Sequence, residues 1–235
     1  MPDIDINLVN LEIKEIEALK KIKVLNDPTV FKDIFRNVLS SVEFENLLNL
    51  TPFTNTLRFV PTFPSKDYEW QLPYWNTGTN NWPIDIVEEI INTGACYMRD
   101  CSRVNSKINK ICSVLESEML NTVDAHIYFS KDKSLDNGFG IHNDAAHNFI
   151  IQVEGTTHWK VGSNCYLNDN INLSSFKDDD ILSIDTILEP GDAIFVPAYV
   201  YHSAKSLSKR VSISFPMPVE KSTQFENRKW INWNA

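Results

Sequence analysis

The sequence predicts a mainly β protein, a sandwich or barrel with a helical N-terminal part, on three observations. The apolar period changes from helical spacing to alternation near residue 122. Beyond it the apolar segments are short, β-branched or aromatic, and divided by turn residues: "VDAHIYF", "NFIIQV", "HWKVG", "AIFVP" and "RVSISF". Five of the seven glycines fall between Gly138 and Gly191, where such a fold needs tight turns.

Before the change of period the elements read as helices. In "DPTVFKDIFRNVLSSVEF", Asp27 is the expected N-cap and Pro28 the first helical residue, because Val30, Phe31, Ile34, Phe35, Val38 and Leu39 recur at helix spacing. "NNWPIDIVEEIINTG" predicts a second helix that stops at Gly94. "SKINKICSVLESEML" predicts a third, with Ile108, Ile111, Leu115 and Met119 on one face. Residues 51–82, rich in Pro, Asn and aromatics around Trp70, Trp75 and Trp82, are expected to be irregular or short-stranded. No repeat or linker divides the chain. The expected organisation is a helical jacket over 1–93, a β core over 94–216 and a tail over 217–235.

Composition excludes some functions. A formal net charge of −9 argues against a nucleic-acid binder, which needs clustered Lys and Arg. The apolar runs fall short of the roughly 18 residues of a membrane span. "MPDIDINLVN" lacks the basic and apolar segments of a signal peptide, so the expected compartment is the cytoplasm. Cys96, Cys101, Cys112 and Cys165 show no CxxC spacing and are expected to be reduced thiols.

The chemistry points to the β segment, which holds all five histidines. In "GFGIHNDAAHNF", His142 and Asp144 are two apart, so on a strand both would face one ion. "EPGDAIFVPAYVYH" reads as a Pro190-Gly191-Asp192 turn, a strand over 193–196 and a break at Pro197, with His202 ending the next short strand. Two imidazoles and one carboxylate leave half an octahedron open, the arrangement of non-haem Fe(II) oxygenases. A structural zinc site would be closed, usually by thiolates, and no cysteine is suitably placed. His126, His147 and His158 read as ordinary core or surface histidines. In "KRVSISF", Arg210, Ser212 and Ser214 share one strand face, which calls for a polar cavity.

"NGFGIHNDAAHNFIIQVEGTTHWKVG" and "LEPGDAIFVPAYVYHSA" resemble the cupin-fold JmjC-type 2-oxoglutarate oxygenases, especially the branch with the bacterial ribosomal-protein hydroxylases. The resemblance covers roughly 94–216 and includes "GACYMRDCSRVNSKINKICSVLE", similar to the strand and helix that precede the barrel in that branch. It implies a double-stranded β-helix (cupin or jelly-roll) core, with Fe(II) held by His142, Asp144 and His202 and chelated by 2-oxoglutarate. It also implies that Asn148 touches the co-substrate. The family usually places a Lys or Arg, partner of the far carboxylate of 2-oxoglutarate, at the position of Thr157. A buried carboxylate without a cation is costly. Either 2-oxoglutarate is not the ligand, or the cation comes from elsewhere. Lys160 has the wrong strand parity for this, whereas Arg210 with Ser212 matches an R-x-S pattern that binds the same carboxylate in other 2-oxoglutarate oxygenases. Tyr128 and Trp159 either line the pocket or pack in the core. The ribosomal-protein hydroxylases carry further domains after the barrel, and about twenty residues follow "RVSISF" here, so neither ribosomal substrate nor dimerisation is carried over.

The expected function is therefore an Fe(II)- and 2-oxoglutarate-dependent hydroxylase that uses O₂. Its substrate is a protein or peptide side chain, or a free amino acid or small natural product. The competing readings are a metal-binding cupin without turnover and a cupin enzyme independent of 2-oxoglutarate; a solvent-facing Arg210 would favour the first.

Overall fold

The computed structural model describes residues 11–49, 58–60, 95–131, 140–165 and 182–219. Trp70, Trp75, Trp82, the predicted helix ending at Gly94, and Gly138 lie outside the described residues. Among the described residues, ten strands form two antiparallel sheets. The larger has the order β1 (Thr29–Phe31), β8 (Ala193–Val196), β5 (Ala146–Glu154), β10 (Arg210–Pro218), β4 (His126–Ser130), β3 (Ala95–Met98) and β2 (Arg58–Val60). The smaller has β7 (Leu182–Leu188), β6 (Thr157–Cys165) and β9 (Val200–Ser206).

Strand parity divides the larger sheet into two faces. Phe149 and Ile151 of β5, Phe195 of β8, Ile127 and Phe129 of β4, and Val211, Ile213 and Phe215 of β10 pack into one apolar cluster. Helices α1 (Ile13–Lys21), α2 (Ser41–Leu48) and α3 (Ser106–Met119) complete that cluster through Leu19, Phe44, Ile108, Ile111 and Leu115. The other face looks towards the smaller sheet, where Ile150, Ile194 and Val196 meet Trp159, Val161 and Val200 in a second cluster. A strand buried on both faces reads as a nearly continuous apolar run, which is why "NFIIQV" and "AIFV" alternate so weakly.

The predicted helix α3 is present, with Asn105 as its N-cap: Ile108 N–H donates to Asn105 Oδ1 at 2.8 Å. The predicted helix from Asp27 is not. Its first residues form β1, which pairs Thr29 with Phe195 and Phe31 with Ala193 at the edge of the larger sheet. Left-handed turns at Asp33 and Asn37 follow, and the helix starts only at Ser41, behind a Ser40–Glu43 capping box. The apolar spacing was real but served a strand and a turn, because edge pairing outweighed local propensity.

The Pro190-Gly191-Asp192 turn joins these parts. Buried Asp192 accepts from Lys32 Nζ (2.7 Å), Asp33 N–H (2.9 Å) and Glu189 N–H (2.9 Å). At Gly155, between β5 and β6, φ is +70° and a Cβ would meet Lys209 O at 1.6 Å, so only glycine fits against the β9–β10 turn. Cys96, Cys101 and Cys112 are buried and form no disulfide, and burial pushes the Cys101 and Cys112 thiols up to about 12.

Candidate metal centre and acid-binding cavity

His142 and Asp144 do not lie on a strand as expected; they sit in the extended segment just before β5. A single antiparallel bridge fixes them, with His142 N–H donating to His202 O at 3.0 Å and His202 N–H to His142 O at 2.8 Å. Tyr199 N–H donates to Asp144 O at 2.8 Å from a left-handed residue in the β8–β9 turn. His202 is the third residue of β9, not its end, because the strand continues to Ser206 along β6.

The two imidazoles are aimed by their backbones. His142 Nδ1 lies 3.1 Å from Gly140 O and His202 Nδ1 3.0 Å from Val200 O, which makes Nδ1 the protonated nitrogen and leaves Nε2 as the donor to an ion. Asp144 Oδ2 is 3.6 Å from His202 Nε2 and 4.0 Å from His142 Nε2. One ligand atom from each residue falls within 4.8 Å of the others. Burial, then the neighbouring His142, pushes His202 down to about 4, so at neutral pH it is the uncharged imidazole that a metal needs. The Asp144 carboxylate keeps 39% of its surface exposed, so the group opens to one side. Two imidazoles, a carboxylate and an open side fit a divalent ion with free coordination positions.

These three residues line one cavity with Tyr128, Asn148, Trp159, Arg210, Ser212 and Ser214. Trp159 stacks on His202 at 6.0 Å and 21°, shielding that imidazole from water. Arg210, Ser212 and Ser214 of β10 all face the cavity and are all buried, as their parity predicts. Arg210 is only 5% exposed, a buried guanidinium in the wall of this cavity. Ser212 Oγ donates to Gln152 Oε1 (3.1 Å), whose amide donates to Glu154 O (2.8 Å) and Gly155 O (3.1 Å). Desolvation, then the Asp144 carboxylate, raises the Tyr128 phenol, which therefore stays protonated, and Tyr97 stacks behind it at 5.2 Å.

The remaining candidates sort by face. Thr157 is fully buried on the inward face of β6, two residues from Trp159, but is not among the side chains lining the cavity. Its hydroxyl and the Trp159 indole N–H have no hydrogen-bond partner among the described residues. Lys160 points outward, 3.9 Å from Asp185. His158 is on the same outer face, 2.5 Å from Asp185, and His126 pairs with Asp124 at 3.1 Å. His147 is buried and accepts from Ala198 N–H at 3.2 Å. Gln152 and Ser214, the side chains that brace the cavity wall, had a signal in the sequence: both have the parity of Arg210's face.

Residues 100–225, over half the chain, match the JmjC domain family. The chain belongs to that family. This JmjC domain is 26% identical over 126 residues to the bifunctional lysine-specific demethylase and histidyl-hydroxylase NO66 of Drosophila mojavensis, covering 52% of this chain and 14% of that one. It is 24% identical over 192 residues to ribosomal oxygenase 1 of Danio rerio, covering 74% and 32%. The fold matches YcfD, a ribosomal oxygenase from Escherichia coli in complex with cobalt and 2-oxoglutarate, with a TM-score of 0.53 at 17% identity, over 85% of this chain and 50% of that one. The JmjC chain thus spans a third or less of these two curated relatives and half of the solved structure. The cupin-type β core expected from the sequence is the observed one. No helix among the described residues is long and apolar enough to cross a membrane.

Proposed function

We propose that this JmjC domain is an Fe(II)- and 2-oxoglutarate-dependent hydroxylase acting on a protein or peptide side chain. One observation carries the reading: an open His142–Asp144–His202 group and a buried guanidinium, Arg210, in the wall of the same cavity. The relatives named for ribosomal and histidyl oxygenation support a macromolecular substrate over a free amino acid or small natural product.

His142 Nε2, His202 Nε2 and an Asp144 oxygen would hold the metal. When bound, Fe(II) would supply activation of O₂, coupling oxidation of 2-oxoglutarate to succinate and CO₂ with hydroxylation of a substrate C–H bond. The chain's own residues bind, orient and exclude water. Arg210 takes the role of the cation missing at Thr157, offering a two-pronged fork to the far carboxylate, with Ser212 beside it and Tyr128 as a permanently protonated donor. Trp159 Nε1, a buried donor on the facing strand that lines the same cavity, fits a ligand rich in acceptors. A binding cupin without turnover is disfavoured by the buried position of Arg210.

The test is succinate release by the iron-loaded protein, screened over peptides and free amino acids, with mass spectrometry for the gain of one oxygen atom. Turnover that depends on a peptide supports the reading. Turnover on free amino acids alone would replace the substrate, and iron binding without 2-oxoglutarate consumption under any substrate would replace the reaction.

A further inference from the structure

Among the described residues, the Asn148 side chain makes two hydrogen bonds, one of them to the Asp144 carboxylate. Its Nδ2 donates to Asp144 Oδ2 at 2.8 Å, and its Oδ1 accepts from Ser214 Oγ at 3.2 Å. The orientation of the amide is fixed by chemistry: an ionised carboxylate only accepts, so the nitrogen must face Asp144. Asn148 and Ser214 are 7% and 5% exposed, so water competes little for either bond. The two residues come from adjacent strands, β5 and β10, in the middle of the larger sheet, so the amide is anchored to a rigid part of the fold.

The oxygen held is the one that matters. Asp144 Oδ2 is the carboxylate atom 3.6 Å from His202 Nε2 and 4.0 Å from His142 Nε2. Asp144 belongs to no strand, and its side chain is 39% exposed, so its rotamer would otherwise be free to swing to solvent. Its backbone is tied by Tyr199 N–H, but that bond does not fix the carboxylate.

We propose that Ser214 and Asn148 form a positioning chain that holds Asp144 in its metal-ready rotamer before any ion arrives. It rests on the metal-centre reading above and deepens it: the polar face of β10 serves two ends of the cavity. Ser214 acts through Asn148 on the ligand carboxylate, and Arg210 with Ser212 serves the acid. Losing a partner behind a metal ligand costs about 10- to 100-fold in metal affinity. The chain should therefore appear in metal binding itself, without any turnover.

The experiment is anaerobic titration of the apoprotein with Co(II), following the visible d–d bands, for the wild type, Asn148→Leu and Ser214→Ala. Circular dichroism checks that each variant is folded. Asn148→Leu keeps the branched shape but removes both bonds, and Ser214→Ala removes only the outer one, so it serves if the first variant does not fold. The expected result is a Kd raised about 10- to 100-fold in Asn148→Leu and a few-fold in Ser214→Ala, with altered Co(II) bands in Asn148→Leu. A purely structural role would lower stability and leave the bands of the folded fraction unchanged. Wild-type Kd and bands in both variants overturn the chain. So does unchanged Co(II) binding with weakened 2-oxoglutarate binding, which would return Asn148 to the co-substrate. A wild type that binds no Co(II) overturns the metal-centre reading instead, so the two failures are told apart.

Discussion

The two faces of β10 carry different kinds of information. Val211, Ile213 and Phe215 enter the apolar layer beneath the helices, while Arg210, Ser212 and Ser214 enter the cavity one residue out of phase. Both sets are almost fully buried. Burial of the first set lowers the free energy without further conditions. Burial of the second has a cost that hydrogen bonds or a ligand must offset. A buried polar stripe beside a metal-competent group is therefore the more informative face, and it separates function from stability along one strand.

The comparison is broken most severely at the cavity side. His142→Ala or Asp144→Ala should abolish metal binding and turnover while circular dichroism and thermal unfolding stay near wild type, since both residues precede β5 and lie outside the two apolar clusters. Retained turnover in either variant would falsify the ligand assignment. Arg210→Ala comes next. Breaking a buried guanidinium–carboxylate pair costs on the order of 3–5 kcal/mol, so the 2-oxoglutarate requirement should rise at least about a hundred-fold. Lys160→Ala, on the outer face of the smaller sheet, should change it less than about two-fold. The reverse order of these two effects means that the acid binds elsewhere.

On the helix side, Phe215→Ala should lower unfolding free energy by about 3–5 kcal/mol in a denaturant titration, leaving the metal Kd of the folded fraction unchanged. A metal Kd that moves with stability would show that the two faces are not separable. A smaller effect is expected from pH. Burial holds His147 at about 4, against 6.5 for an ordinary histidine. Because the folded value is the lower one, the unfolded chain takes up the proton first as pH falls. Stability is then full above about pH 6.5 and falls between 6.5 and 4, by about 3 kcal/mol in all. His147→Phe should flatten that part of the acid limb; an unchanged limb assigns the acid sensitivity to other groups.

Much of this was legible in the sequence because alternation survives in a sheet that faces two different layers. The parity of "RVSISF" separates the polar from the apolar face, and the wrong parity of Lys160 follows from the same rule. Helix α3 was legible from its stripe of Ile108, Ile111 and Leu115. What failed did so for tertiary reasons. The apolar residues from Val30 to Leu39 have helical spacing, but the free edge of β8 recruits Thr29–Phe31 as a strand. His142 and Asp144 converge on His202 through a turn and one bridge between His142 and His202, sixty positions apart, and no local period encodes that bridge. Nor could the sequence show that Asp192 of the Pro-Gly-Asp turn serves the fold by gathering Lys32, Asp33 and Glu189.

The central claim is that one cavity holds both a ferrous ion and the acid that chelates it. Its most direct test is anaerobic titration of the apoprotein with Fe(II) and then 2-oxoglutarate, watching for the weak visible charge-transfer band of the chelate. A band that appears, saturates, and in Arg210→Ala needs at least about a hundred-fold more 2-oxoglutarate is the predicted result. Iron binding with no band at any 2-oxoglutarate concentration would contradict it, and would mean that the loss of the cation at Thr157 was never compensated.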